Sequence, residues 1–392
     1  MKKAWVSSAR NAEVLEAARS WREANAIDAE TFAAIEDAYP QAQPPLSAAW
    51  RALIFFLVSV AVHAVFFGFM ELARSERPWT MIAYGAVLAA AAELLRGSRF
   101  SGNGGDAAAS FWAIGYLLVG AGVAWNETRG ANAPEELATF LLALAVLLFA
   151  SACAHWGFSV YGIFAAAAFF GLLAQFPAAR LTWALAAGIL LAGAYGRLDR
   201  SFLPPPHRVA LAGVLAVAAC ALYAAVNRYS LDLGWIEALR GGFRTSEHAP
   251  PPWLRLASAA ATALVPPAFL LWGIRTRRTL VLDLGLAFTA LSLVTLRQYV
   301  HLAPLWVLLT TCGTLLILGA MALNRRLRRA PGGERAGFTA DPLFSAKRAE
   351  RIQVGAVFAG FAGSAPEAGR TEAGQVTTGG GGFGGAGASG EY

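Results

Sequence analysis

Apolar runs of about 20 residues recur between Ala52 and Leu323, and they constrain the fold more than any other feature of the sequence. A helix needs about 20 apolar residues to cross the hydrocarbon core of a bilayer. Charged residues make up only 15% of the 392 residues, whereas water-soluble domains carry about 25%. The sequence therefore predicts an all-α, polytopic transmembrane helix bundle with roughly ten spans.

The fourth and fifth predicted spans form one apolar run that is interrupted only by CAHWG. We divide this run because a single helix of that length would be about twice as long as the bilayer is thick. The second and sixth spans are short, so either could be re-entrant. The predicted spans are approximately 52–71, 79–95, 107–125, 137–154, 156–176, 181–196, 209–226, 256–274, 280–296 and 302–323.

The chain divides into a helical segment with a Pro-containing linker (1–50), the transmembrane bundle (51–323), and a basic stretch with a Gly-rich tail (324–392). In the first part, apolar residues at helical spacing predict two short helices. Asp28 is the expected N-cap of the second helix, which should stop at Pro40. Because two short helices bury little surface alone, we expect them to pack on each other or on the bundle.

Lys and Arg residues predict the orientation, since they are enriched in cytoplasmic loops. Most of them fall on one side of a ten-span topology, including the run RRLRR at 325–329. The long loop 227–255 is the exception, and its stretch LDLGWIEALRGGF predicts a short amphipathic helix on the outer surface. Both termini are therefore predicted to be cytoplasmic.

The C-terminal tail is rich in Gly, Ala, Pro and Ser from Ala330 onward, and this composition predicts disorder. Phe383 and Tyr392 are the only aromatic residues in its last 16 positions. The tail is either a flexible contact arm for a partner or a plain spacer.

Polar residues and prolines inside spans are the candidates for a ligand site, because they are costly in lipid. Pro residues break a helix, and transporters bind ligands at such breaks. A His at mid-span can relay protons or simply donate a hydrogen bond. If they converge, these residues would form a polar midplane site: His63, Pro266, Pro267, Asp283, Thr310 and Thr314.

Each candidate also has a structural alternative. The two prolines can produce a packing kink, the threonines can permit close helix packing, and Asp283 can form an ion pair between helices. Glu93 and Arg297 are weaker candidates, since Glu93 can pair with Arg96 at an interface and Arg297 can extend to the membrane surface.

Enzyme and metal motifs do not occur in the sequence. HExxH, GxSxG and Walker A patterns are missing, and NGGD at 103–106 lacks the Lys and Ser/Thr of a phosphate loop. Cys153, Cys220 and Cys312 have no CxxC spacing and lie in apolar runs. We therefore expect no enzymatic activity, no cofactor, no metal and no nucleic-acid partner.

The N-terminal stretch AIDAETFAAIEDAYP, the entry WRALIFFLV, the spans, and the ending LNRRLRR before GFTADPL together resemble bacterial multi-spanning membrane proteins that carry domains of unknown function. This resemblance implies an inner-membrane location and transfers no catalytic residue. The ending GGFGGAGASGEY is similar to the Gly-rich tails of bacterial TPM-domain membrane proteins. Those tails usually end in Trp, whereas this chain ends in Tyr392 and has no TPM domain.

Two functional hypotheses follow. The first is a secondary transporter of a small solute or ion that uses the midplane site at the Pro-broken helix. The second is a membrane scaffold or sensor that recruits protein partners through residues 1–50 or through the tail. A membrane-embedded enzyme acting on lipid is disfavoured because its motifs are missing.

Overall fold

The computed structural model describes most of the chain up to Arg329 and two short segments after it. The described residues are 3–23, 26–40, 48–73, 78–97, 102–129, 134–198, 203–241, 251–276, 278–299, 305–329, 334–335 and 338–339. The predicted disordered tail lies outside them, as does most of the region after 329.

Helices lie at all ten places where the sequence predicts spans. They are α3 (Ala48–Ala73), α4 (Pro78–Gly97), α5 (Gly105–Arg129), α6 (Pro134–Trp156), α7 (Ser159–Ala174), α8 (Ala179–Leu198), α9 (Pro205–Val226), α12 (Pro252–Thr276), α13 (Thr279–Tyr299) and α14 (Leu305–Arg328). Within the described residues, eight of them are long and apolar enough to cross a membrane: α3 to α6, α8, α9, α12 and α13. The chain is an integral membrane protein with an all-α, polytopic fold.

Two helices, α4 and α8, are longer than the sequence suggested, and one helix, α7, is shorter. The apolar segments of α4 and α8, which looked short in the sequence, each have 19 residues and can cross a membrane. The short helix is α7, with 16 residues. It is short because the chain reverses at Gly157, directly after α6, so that α7 cannot begin before Ser159.

Three apolar clusters hold the bundle together. The first joins α3, α4 and α5, the second joins α5, α6 and α7, and the third joins α7, α8, α9, α12 and α13. In the α12–α13 pair, Gly273 contacts Leu282 and Gly285 contacts Leu270, where a Cβ atom would come within 3 Å of the partner backbone. Small residues at these positions let the two helices approach closely.

The N-terminal hairpin comprises α1 (Lys3–Glu23) and α2 (Ala29–Ala38). Leu15 and Ala18 of α1 and Phe32 of α2 are buried, and α1 also contacts α9. The hairpin therefore packs both on itself and on the bundle, as the sequence analysis expected. We call the end of the bundle at which α9 begins the hairpin face, and the opposite end the far face.

The start of α2 confirms the predicted N-cap. The Asp28 carboxylate accepts a hydrogen bond of 2.7 Å from the Thr31 amide. This bond favours the ionised carboxylate and lowers the pKa of Asp28 below its ordinary value. The helix ends at Ala38, two residues before Pro40.

The long loop after α9 contains two short helices instead of the single amphipathic helix that was predicted. They are α10 (Arg228–Leu233) and α11 (Trp235–Gly241). They are separated by Gly234, whose left-handed backbone (φ 58°) ends α10. Ile236 is fully buried, so α11 is anchored in the third apolar cluster.

Beyond α14, the structure describes a small antiparallel pairing of β1 (Glu334–Arg335) with β2 (Phe338–Thr339). The first membrane helix begins at Ala48 and α14 ends at Arg328, close to the predicted borders of the bundle at 51 and 323.

Candidate functional site

His63, a member of the predicted midplane site, lies against α5. Its Nδ1 is 2.7 Å from the Ser59 carbonyl oxygen of its own helix. A carbonyl only accepts, so Nδ1 carries the proton in this bond. The ring lies edge-on to Trp112, with centroids 4.1 Å apart, and near Tyr116. The described environment of His63 is thus an aromatic contact between α3 and α5.

Pro266 and Pro267 lie in the interior of α12, which continues through both of them. Pro266 is buried and has no N–H for the Thr262 carbonyl one turn earlier. The Ser292 hydroxyl of α13 donates to this carbonyl at 2.7 Å. The neighbouring helix therefore replaces the missing donor, as intramembrane prolines require. This bond is a contact between two helices, and the choice between a packing kink and a ligand site at the two prolines stays a prediction.

The remaining predicted residues lie elsewhere. Asp283 is on an exposed part of α13, level with the Leu270–Gly273 turn of α12 and not with Pro266. Arg297 is half-buried near the end of α13, and Thr310 and Thr314 are exposed on α14. The contacts that the structure describes do not join the predicted set into one site, and its role in ligand binding stays a prediction.

A buried ion pair connects α4, α5 and the α6–α7 turn at the hairpin face. Arg96 Nη1 donates to Asp106 Oδ2 at 2.9 Å, and the two side chains are 10% and 1% exposed. Arg96 Nη2 donates to the Trp156 carbonyl at 3.0 Å, and its guanidinium lies 4.5 Å from the Phe158 ring centroid. The Gly102 amide also donates to Asp106 Oδ2. Three polypeptide segments thus meet at one guanidinium.

Glu93 lies one turn before Arg96, and the structure shows two partners for it on α6, while its predicted pairing with Arg96 stays a prediction. Its Oε2 is 2.9 Å from His155 Nε2 and 3.2 Å from Trp156 Nε1, both on α6. Glu93 thus connects α4 to α6, whereas Arg96 connects α4 to Asp106 on α5. The Glu93 and Asp106 carboxylates thus each bond to a side chain of a neighbouring helix.

A second polar network lies at the far face, where α9 ends. The Asn227 amide donates to Thr295 Oγ1, and the Arg228 backbone N–H donates to Thr262 Oγ1 at 2.8 Å. Ser258 Oγ donates to the Val226 carbonyl at 2.7 Å. These bonds connect the end of α9 to α12 and α13.

The Tyr223 hydroxyl adjoins this far-face network. Its ring stacks on Phe288 at 4.6 Å, and the residue is 5% exposed. The hydroxyl adjoins the Asn227, Ser292 and Thr295 side chains, yet it is not in hydrogen-bonding geometry with any described atom.

A cavity of about 330 Å³ lies between the N-terminal hairpin and the start of α9. The cavity is open to solvent, and an ion pair between α1 and α9 lies among its lining residues. Arg208 Nη2 donates to both carboxylate oxygens of Glu13, each at 2.7 Å. Glu13 and Arg208 are 195 positions apart in the sequence, so this contact, between side chains that are 32% and 35% exposed, joins the hairpin to the membrane bundle.

The cavity is lined by both charged and apolar residues. Two guanidinium groups and one carboxylate line it together with four apolar side chains: Arg10, Glu13, Val14, Ala17, Trp21, Leu203 and Arg208. Arg208 Nε is buried and has no hydrogen-bond partner among the described residues. No described residue forms an ion pair with Arg10. The cavity therefore has unused N–H donors and a net positive charge.

These residues were not singled out by the sequence analysis. Glu13 and Arg208 look like ordinary surface charges, and only the folded chain brings them together. Asp106 was considered only as part of a phosphate-loop pattern. The one available signal was its place directly after Gly104 and Gly105 at the start of an apolar run, where an acid favours the helix N-terminus.

Among the described residues, no group of three or more His, Cys, Asp or Glu side chains could hold a metal ion. Comparison of the chain with known protein families, curated proteins and solved structures gives no match.

Proposed function

We propose that the protein is a membrane-embedded sensor of a small solute, in which the solute occupies the cavity between the N-terminal hairpin and the bundle. The observation that carries this proposal is the ion pair of Glu13 with Arg208 beside a cavity of about 330 Å³. That volume is within the range of roughly 300–1,000 Å³ that is usual for small-molecule sites. The hairpin and the bundle each contribute part of the lining, so occupancy and docking are coupled.

The output of the sensor is the position of the hairpin. A solute that binds only the docked form stabilises docking by RT ln(1 + L/Kd), where L is its free concentration, and its loss releases the hairpin for a protein partner. The Gly-rich tail is a second contact arm for such a partner. The proposal includes no catalytic step.

We place the hairpin face in the cytoplasm of a bacterial cell and the bundle in its inner membrane. The support for this orientation is the set of Arg residues at the hairpin ends of the helices, which the positive-inside rule assigns to the cytoplasm. This set includes Arg51, Arg96, Arg197, Arg208 and Arg275. The resemblance to bacterial multi-spanning membrane proteins agrees with this location.

The proposal is tested by measuring the distance between the hairpin and the bundle. Spin labels are attached at Arg19→Cys on α1 and Arg197→Cys on α8, both exposed positions, in a background with the native cysteines replaced by serine. Electron-spin distance measurements in lipid nanodiscs should give one narrow distribution. Glu13→Gln should broaden it, because Arg208 then loses its charged partner.

The same sample is then measured with a small-molecule extract of the cytoplasm and with dialysis buffer. A solute-dependent change in the distribution supports the sensor. An unchanged distribution in the extract, or a distribution that Glu13→Gln leaves narrow, would remove its basis.

The second candidate is the secondary transporter, and the far-face network favours it. The buried Tyr223 hydroxyl, beside the Asn227, Ser292 and Thr295 side chains, is the kind of polar position at which transporters bind solutes. Electrophysiology on solid-supported membranes, with proteoliposomes and a panel of ions and solutes, tests it. A current that Asn227→Ala abolishes supports transport, whereas silence across the panel counts against it.

A further inference from the structure

We propose that the cavity between α1 and α9 takes a small anion with a phosphate or carboxylate head and an apolar body. This inference rests on the proposed sensor function and adds the chemical class of the ligand. It depends on the charge, the unused donors and the apolar lining of the cavity.

The head of the ligand is specified by two guanidinium groups. Arg208 uses only Nη2 for Glu13, so its Nη1 group has no hydrogen bond within the described part of the chain, whereas its Nε atom is inaccessible to solvent and is not counted as a donor for the ligand. Arg10 contributes a second guanidinium from α1. Planar guanidinium donors match phosphate and carboxylate oxygens, and bonds between charged partners are about twice as strong as neutral ones.

A cationic ligand does not fit this lining. Glu13 is the one carboxylate among the lining residues, and both of its oxygens already accept from Arg208. A cation would have to displace that guanidinium and would then face two positive charges. The net charge of the cavity thus selects for an anion.

The body of the ligand is specified by the apolar lining residues. Val14, Ala17 and Leu203 provide aliphatic surface, and Trp21 provides an aromatic one that is 41% exposed. An apolar or flat group would cover part of this surface and remove it from water. The cavity lies where α9 enters the membrane region, so such an anion can come from a soluble metabolite or from the headgroup of an anionic lipid.

The test uses three probes of similar size on the full-length protein in detergent. Phenyl phosphate is the anion, phenol is the neutral control and phenyltrimethylammonium is the cation. Phenyl phosphate should raise the melting temperature and the other two should not. Arg10→Gln should weaken phenyl phosphate binding by about tenfold or more, which corresponds to the loss of one charged hydrogen bond.

Arg19→Gln is the matched control. It removes the same charge from an exposed position of the same helix, outside the cavity lining. It should leave the binding of phenyl phosphate unchanged. Equal weakening in both variants would mean that overall charge, and not the cavity, attracts the anion, and would overturn the inference.

Two results separate this inference from the sensor. If phenol raises the melting temperature as strongly as phenyl phosphate, or if phenyl phosphate has no effect, the anion class is wrong, while the distance measurement still decides the sensor. If the hairpin distance never responds to solute although phenyl phosphate binds, the cavity is an anion site and the sensor is wrong.

A last arm identifies the source of the anion. The phenyl phosphate titration is repeated in nanodiscs of phosphatidylcholine with and without phosphatidylglycerol. Competition by phosphatidylglycerol assigns the site to a lipid headgroup, and undiminished binding assigns it to a soluble anion.

Discussion

Replacing Asp106 by Leu while Arg96 remains should lower the free energy of unfolding by about 3–5 kcal/mol, because the change removes the buried Asp106 carboxylate that pairs with a buried guanidinium. Both side chains are nearly inaccessible, at 10% and 1% exposure, so water cannot screen the remaining charge. The contacts of Arg96 with the Trp156 carbonyl and the Phe158 ring do not neutralise it. Arg96→Met should cost a similar amount, since it leaves the Asp106 carboxylate buried.

The double variant distinguishes an ion-pair effect from a packing effect. Arg96→Met with Asp106→Leu removes both charges and keeps apolar volume, and such replacements are often neutral or even stabilising. We therefore expect the double variant to be more stable than either single variant by at least about 2 kcal/mol, because the single penalties do not add for a contacting pair.

The measurement is unfolding in mixed micelles of dodecyl maltoside and sodium dodecyl sulfate, followed by far-ultraviolet circular dichroism. Arg129→Met with Glu136→Leu is the control, since that pair is 3.6 Å apart and each side chain is 61% exposed. Exposed pairs contribute only about 0–1 kcal/mol. The reasoning is refuted if the single variants at Arg96 and Asp106 cost no more than this control, or if the double variant loses the sum of the two single losses.

Three further predictions concern hydrogen bonds to the backbone and the conformation of two glycines. Ser292→Ala removes the donor for the carbonyl that Pro266 leaves open and should cost about 0.6–1.7 kcal/mol in the same assay; in a Pro266→Ala background, where the helix regains its N–H, the loss should be smaller. Gly102→Ala should lower the free energy of unfolding by about 1–2 kcal/mol from its positive φ alone. Gly104→Ala should lower it clearly more, because the new Cβ would also collide with the backbone of α3. Equal losses in the two variants would contradict this reasoning. Because the folded-state pKa of Asp28 is lowered, its cap stabilises α2 fully above pH 3.8, the ordinary pKa of the group. This contribution is lost as the pH falls through the lower folded-state pKa. Hydrogen exchange in α2 should therefore accelerate on acidification in the native protein and not in Asp28→Ala.

The helices were predictable because the bilayer sets their length. A run of about 20 apolar residues has few alternatives to a spanning helix, since lipid offers no partner for unpaired backbone groups. Local signals also worked, as the Asp28 cap and the stop before Pro40 show. These features depend on residues that are close together in the sequence.

The candidate site was not predictable in the same way. Arg96 reaches Trp156 across 60 positions, and Glu13 reaches Arg208 across 195. Such pairs depend on which helices are neighbours in the bundle. The sequence does not reveal this, because helix surfaces made of Ala, Leu and Val look alike. At Pro266 a local sequence signal was misleading. Its position suggested a broken helix, but the Ser292 hydroxyl of another helix donates to the carbonyl that the proline leaves open, so no break is needed.

The 16 residues of α7 have a consequence for the surrounding lipid. At 1.5 Å per residue, this helix is about 24 Å long, whereas the hydrocarbon layer is about 30 Å thick. A helix that is too short draws the two leaflets together around it, at a cost that grows with each ångström of mismatch. The bilayer beside α7 should therefore be thinner than the bilayer beside the eight longer spans, whose apolar segments have 19–25 residues.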